Sequence, residues 1–140
     1  MISKRDHLYF KVAKAMAKLS THAKCRVGAV VIKGGEVLSI ACNTLKSHPM
    51  QRKYNVHRGI TGDHKHQHHL HAEINTLLKV KDKRKLKGAA LYIVRVKRKG
   101  ENAIARPCPA CLNYIKHETP IVDCYYSTED SYSYEKVTRI

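Results

Sequence analysis

Acidic residues are scarce in this chain. Eleven Asp and Glu stand against 27 Lys and Arg in 140 residues, and ten histidines can add to a formal net charge of +16. An excess of that size goes beyond what a solvating surface needs and points to anionic partners, either nucleic acid or phosphorylated metabolites. No apolar run approaches the roughly 20 residues that cross a bilayer, so no membrane association is expected. The first 20 residues, MISKRDHLYFKVAKAMAKLS, contain no uninterrupted apolar stretch, because Lys4, Lys11, Lys14 and Lys18 divide it. It is therefore not read as a secretory signal, and a cytoplasmic setting is expected. An even cysteine count is also missing. Five cysteines without a signal peptide argue against a disulfide framework.

The length suits one domain over residues 1–140. Leu8, Val12, Ala15, Met16 and Leu19 recur at helical spacing and predict an amphipathic first helix with that stripe facing the core. RVGAVVIKGGEVLSIACN predicts a hairpin turning at Gly34-Gly35, with both strands largely buried. Residues 44–70 show no period. They form a histidine-rich, basic loop, of a length that is usually functional or disordered. Residues 72–80 and 108–117 read as helices, AALYIVRV and IVDCYYS as strands, and TEDSYSYEKVTRI as a short helix or irregular tail. A strand, crossover helix and strand give a parallel pair. The expected architecture is an α/β sandwich with a mixed sheet.

Chemistry concentrates at the mouths of the two later helices. His71 immediately precedes one, and Pro107 immediately precedes the other, which opens at Cys108. A helix N-terminus favours thiolate over thiol, and Cys111, three residues on, shares a face with Cys108. Two thiolates and one imidazole suit a tetrahedral Zn²⁺ and leave a fourth position for water. Glu73, two residues after His71, is placed to move protons beside that water. A structural zinc site would need a fourth protein ligand and leaves the His-x-Glu spacing without purpose. A redox role for the Cys-x-x-Cys pair leaves both His71 and Glu73 unexplained.

His71-Ala72-Glu73 together with Pro107-Cys108-Pro109-Ala110-Cys111 resembles the H-x-E…P-C-x-x-C signature of the zinc-dependent cytidine/deoxycytidylate deaminase superfamily. The resemblance spans roughly residues 4–127, and HAEINTLL is most like deoxycytidylate deaminases. It implies a three-layer α/β/α sandwich whose mixed sheet has four to five strands. It implies hydrolytic deamination of dCMP to dUMP, with zinc hydroxide attacking C4. Glu73 would shuttle protons to ring N3 and to the departing ammonia, and His71, Cys108 and Cys111 would bind the metal. Ala72 would hold the pyrimidine edge and Asn43 would contact the sugar. Lys46 and Arg52, with Lys53 and Arg58, are candidates to grip a phosphate.

Ala41-Cys42-Asn43-Thr44 stands where the family usually has Gly-Tyr-Asn-Gly, a departure that bears on the allosteric nucleotide site of regulated members. His48, His57, His64, His66, His68 and His69 allow two readings. One is a second, structural zinc. The other, preferred because the spacing matches no settled motif, is a solvated loop titrating near pH 6.5. The resemblance further implies a homo-oligomer and suits a phage or viral source. The alternative function is deamination of cytosine or adenine in single-stranded DNA or RNA, which the charge favours.

Overall fold

The protein is described by a computed structural model covering residues 2–22, 24–61 and 68–139. His64 and His66 of the loop lie outside the described residues. Helix α1 (Lys4–Lys18) is followed by strands β1 (Arg26–Lys33) and β2 (Glu36–Cys42). Helices α2 (Pro49–Tyr54) and α3 (Ala72–Leu78) lead into strands β3 (Ala90–Val96) and β4 (Asn102–Ala103). Helix α4 (Pro109–Glu118) and strands β5 (Asp123–Ser127) and β6 (Tyr132–Lys136) complete the order.

Among the described residues the sheet has six strands, in the order β2-β1-β3-β5-β6, with the short β4 paired to β3. Only β3 and β5 run parallel, and α4 makes the crossover between them. The Gly34-Gly35 turn between β1 and β2 has φ of 57° and 82°. Positive φ at both positions suits a tight hairpin and is nearly free of steric cost only for glycine. Alternation along the central strands divides the core. Val30, Ile32, Tyr92, Val94 and Val96 pack against α1. Ala29, Val31, Leu91 and Ile93 pack with residues of α3 and α4 on the other face. This is the α/β/α layering expected.

Four local expectations change. The buried face of α1 is not the leucine stripe but Tyr9, Phe10, Ala13 and Ala17, while Leu8 and Leu19 are 58% and 68% exposed. The reason lies in Gly28 of β1, where an added Cβ would stand 2.0 Å from the Ala13 carbonyl oxygen and 2.4 Å from the Ala17 nitrogen. Two alanines and a glycine let helix and strand backbones approach closely, and that contact selects the rotation of the helix. Strand β2 is not largely buried: it is a sheet edge, with Val37 and Ile40 exposed.

The third change is in the tail, which forms β6 and pairs antiparallel with β5. Its Tyr132 stacks on Phe10 at 4.0 Å, and its Tyr134 lies tilted against Tyr125 at 4.9 Å, so aromatic packing fixes the strand. It brings the main path to five strands. Finally, residues 44–70 are not without structure. They contain α2 and a 3-10 turn, Asn55–Arg58.

Asp6 ties α1 to the sheet. Its carboxylate accepts hydrogen bonds from the Tyr92 hydroxyl at 2.5 Å and from the Ser3 amide at 2.8 Å, closing a capping box. Burial disfavours the charged form, but the bonds from Tyr92 and Ser3 outweigh it and hold the pKa below the usual carboxylate range.

Two expectations follow. Gly28→Ala should lower stability by about 1–3 kcal/mol or prevent folding, read from denaturant unfolding, because backbone cannot yield as a side chain can. An unchanged midpoint would show that α1 moves freely on the sheet. Asp6→Asn should lower the melting temperature at pH 7. Because the folded pKa is depressed, Asp6 contributes fully above the unfolded carboxylate value of about 4, and loses that contribution as pH falls through the lower folded value. The gap between variant and parent should therefore close in acid.

Candidate active site

Residues 44–70 leave the sheet and return to where they left it. Thr44 N–H donates to the Leu70 carbonyl at 3.0 Å, and Leu70 N–H donates to the Lys46 carbonyl at 2.9 Å. The closed base delivers His71 as the N-cap of α3 with extended backbone, φ −74° and ψ 154°. Cys108 is the corresponding N-cap of α4, with Pro109 in the first turn, where its missing N–H costs nothing. The two helix mouths meet. His71 Nδ1 lies 3.5 Å from Cys108 Sγ and 3.3 Å from Cys111 Sγ.

The donor set fits zinc. With zinc–ligand distances of about 2.0 Å to nitrogen and 2.3 Å to sulfur, tetrahedral geometry puts neighbouring donors about 3.5 Å apart. The three donor atoms lie within 4.8 Å of one another, and no other metal-competent group of this kind occurs among the described residues. The electrostatics agree. Hydrogen bonding from Cys111, joined by His71, outweighs burial and draws the Cys108 thiol down into the thiolate range. Burial pushes the Cys111 thiol well up, and its bond to Cys108 adds to this. Burial likewise raises the Glu73 carboxyl. Burial opposes protonation of His71, but Cys108 and Glu73 outweigh it and raise its pKa. A dication held by these donors would favour both thiolates at once.

This cluster forms one wall of a cavity of about 450 Å³, a size typical of small-ligand sites. Asn43, His71, Ala72, Glu73 and Cys108 line it. Glu73 is buried at 6% exposure, Cys111 lies behind the surface at 0%, and Ala72 is fully covered. The Asn43 amide is largely engaged: Oδ1 accepts from Ser20 Oγ at 2.6 Å and from Val27 N–H at 3.0 Å, and Nδ2 donates to the Cys25 carbonyl at 2.6 Å. One amide hydrogen remains for a ligand.

Lys46 and Arg52 are not brought to this cavity. Lys46 is exposed at the closed base of the excursion, and Arg52 lines a separate hollow with Pro49, Lys53 and His68. The cations on the cavity wall are Arg58, Arg95 and Arg106.

A buried polar chain behind His71 also escaped the sequence pattern. Gln51 Oε1 accepts from the His71 amide at 3.0 Å, Gln51 Nε2 donates to Asn55 Oδ1 at 2.8 Å, and Asn55 Nδ2 lies 3.0 Å from His68 Nδ1. Gln51 and Asn55 are fully buried. Their i, i+4 spacing was the available signal, masked by the polar composition around them. Arg58 Nη1 reaches both Asn55 Oδ1 and His71 Nε2 at 3.4 Å. A guanidinium only donates, so this contact needs Nε2 as acceptor. A metal on Nδ1 leaves the ring hydrogen on Nε2, and Arg58 must then find another acceptor.

The sequence model described as the cytidine and deoxycytidylate deaminase zinc-binding region matches residues 3–128. The chain belongs to this deaminase family. It is thereby a zinc-dependent hydrolytic deaminase, with His71, Cys108 and Cys111 as a group able to hold one zinc.

Among solved structures, the fold is similar to the dCMP deaminase of cyanophage S-TIM5 in apo form, with 24% identity, TM-score 0.63, and coverage of 91% of this chain and 86% of that one. The same phage enzyme in complex with dCMP and dUMP matches at 20% identity and TM-score 0.60, covering 90% and 82%. A cytidine deaminase from Mycobacterium tuberculosis matches at 15% identity and TM-score 0.53, covering 94% and 89%. No curated protein sequence matches the chain significantly. No helix among the described residues is long and apolar enough to cross a membrane.

The deaminase should bind about one zinc per chain by metal analysis. Cys108→Ala or Cys111→Ala should abolish stoichiometric binding, and a chelator should lower the melting temperature of the parent but not of either variant. Two zincs per chain would assign the second to the histidine-rich segment.

Proposed function

We propose that this deaminase acts on a cytosine nucleotide, converting deoxycytidylate and water to deoxyuridylate and ammonia. The observation that carries the proposal is the meeting of His71-Ala72-Glu73 and Cys108 on one wall of a cavity of about 450 Å³, with Cys111 behind that wall. Support also comes from the phage structure of the same fold, whose bound molecules are dCMP and dUMP. Bound zinc supplies the Lewis acidity that makes water nucleophilic near neutral pH.

The chain does the rest. His71, Cys108 and Cys111 hold the metal. The Glu73 carboxylate takes a proton from the attacking water and delivers it to ring N3. It carries a second proton to the 4-amino nitrogen, which leaves as ammonia. The first turn of α3, at Ala72, borders the pyrimidine edge. Asn43 offers its remaining amide hydrogen to the sugar. A cytoplasmic setting and a homo-oligomer accompany this reading.

A second reading has one observation in its favour. A net charge of +16 exceeds what a monophosphate requires and suits a single-stranded polynucleotide whose target base enters the same cavity. Ammonia release from dCMP, dCTP, cytidine and single-stranded oligonucleotides, measured across a salt series, separates the two. Turnover of dCMP with shallow salt dependence supports the first. Oligonucleotide turnover with steep salt dependence and inert dCMP replaces it with the second.

Glu73→Gln should retain zinc and lose about 10²–10⁴-fold in turnover. Retained activity would remove Glu73 from the mechanism.

A further inference from the structure

Strand β3 sends Leu91 and Ile93 into the core on the α3/α4 face. The next position of the same alternation is Arg95, paired in register with Val27 of β1. An arginine therefore occupies what the pattern makes a core position, and the space above it is the active-site cavity, which both Arg95 and Val27 line. It is half-buried. Its backbone N–H donates to Ser127 Oγ at 3.1 Å, but its guanidinium makes no hydrogen bond or ion pair among the described residues. A partly desolvated cation without a counter-ion is costly unless a ligand completes it.

The other two arginines of the cavity are placed differently. Arg106 forms a two-point ion pair with Glu135, Nε to Oε1 at 2.7 Å and Nη2 to Oε2 at 3.0 Å. Arg58 sits at the metal-ligand end of the cavity, 3.4 Å from Asn55 Oδ1 and from His71 Nε2. Glu73 is the one acidic residue lining the cavity among those described, and it belongs to the reacting centre. His22 and His69 add further donors to the wall. The cavity thus carries, at Arg95, a positive charge that no side chain among the described residues pairs.

We propose that Arg95 is the specificity-determining residue that receives the phosphate of the nucleotide substrate and so separates nucleotides from nucleosides. This rests on the cytosine-nucleotide reading above and adds the residue that recognises the charged group. A guanidinium offers two parallel donors to two phosphate oxygens, a match that lysine lacks. The cationic candidates of residues 44–70 are thereby replaced by a residue on strand β3, whose position is set by the pairing with β1.

The test compares Arg95→Ala and Arg95→Lys with the parent, all zinc-loaded, on dCMP, deoxycytidine and a single-stranded oligonucleotide. Arg95→Ala should lower kcat/KM for dCMP by about 10- to 100-fold, chiefly through KM, and leave deoxycytidine within about threefold. Arg95→Lys should recover part of the loss. Equal losses on dCMP and deoxycytidine, or none on dCMP, would overturn the proposal. A loss confined to the oligonucleotide would also overturn it and assign Arg95 to a polynucleotide backbone.

Calorimetric titration with dUMP and with deoxyuridine gives a readout that needs no turnover. The parent should bind dUMP more tightly, and Arg95→Ala should erase the difference. If the parent turns over no cytosine substrate but this binding difference stands, the reaction fails while phosphate recognition survives. If turnover stands and the binding difference is missing, Arg95 fails alone. Should the alanine variant not fold, Arg95→Gln carries the same comparisons.

Discussion

Two thiols, a carboxyl group and an imidazole are packed together at one end of the cavity, Cys111 and Glu73 buried and His71 and Cys108 half-buried, and a cation among them would allow both thiolates at once. Cys108 ionises at the expense of Cys111, and Glu73 is held towards its protonated form by burial. A dication removes that conflict. Much of the fold can be understood as the apparatus that forces these groups together. Residues 44–70 close on themselves to present His71, α3 and α4 start at the same place, and the β3–α4–β5 crossover sets one helix mouth against the other.

The metal ligands are supported from behind. Gln51 and Asn55 have no solvent contact and hold the His71 backbone through a chain of amide bonds. Tyr54 adds a second link, its hydroxyl donating to Glu118 at 2.5 Å and its ring packing edge-on against Tyr114 of α4. Helix α2 therefore joins the segment bearing the histidine to the helix bearing the cysteines. A ligand set spread over two elements stays in register only if those elements are tied to each other, as support behind metal ligands generally shows.

The site's chemistry was legible because its spacing is local. His71-Ala72-Glu73 and Cys108–Cys111 each lie within one turn of helix, so their facing follows from helical geometry. The hairpin turn was legible for the same reason, since Gly34-Gly35 meets a requirement of the turn itself. The rotation of α1 was not. Its leucine stripe obeys the helical period, yet the decisive contact is between Gly28 and the backbone at Ala13 and Ala17, residues whose smallness carries little weight in a periodicity count. The strand in the tail was hidden too. Its tyrosines alternate, but their partners, Phe10 and Tyr125, come from distant parts of the chain.

The sequence by itself determined the metal-competent group and the helix mouths that hold it, which follow from short-range pattern, and its motif resemblance pointed to the deaminase family. It determined the α/β order as well, because strand and helix periods are local properties. Which cations line the cavity was decided by tertiary structure alone. Lys46 and Arg52 lie in the basic segment that adjoins the site in sequence, but the closed base of that segment directs them elsewhere. Arg95 sits in an apolar strand where composition gives no hint of a ligand. Only the pairing of β3 with β1, and the cavity above that pair, turns an interrupted hydrophobic alternation into a charge facing the active site.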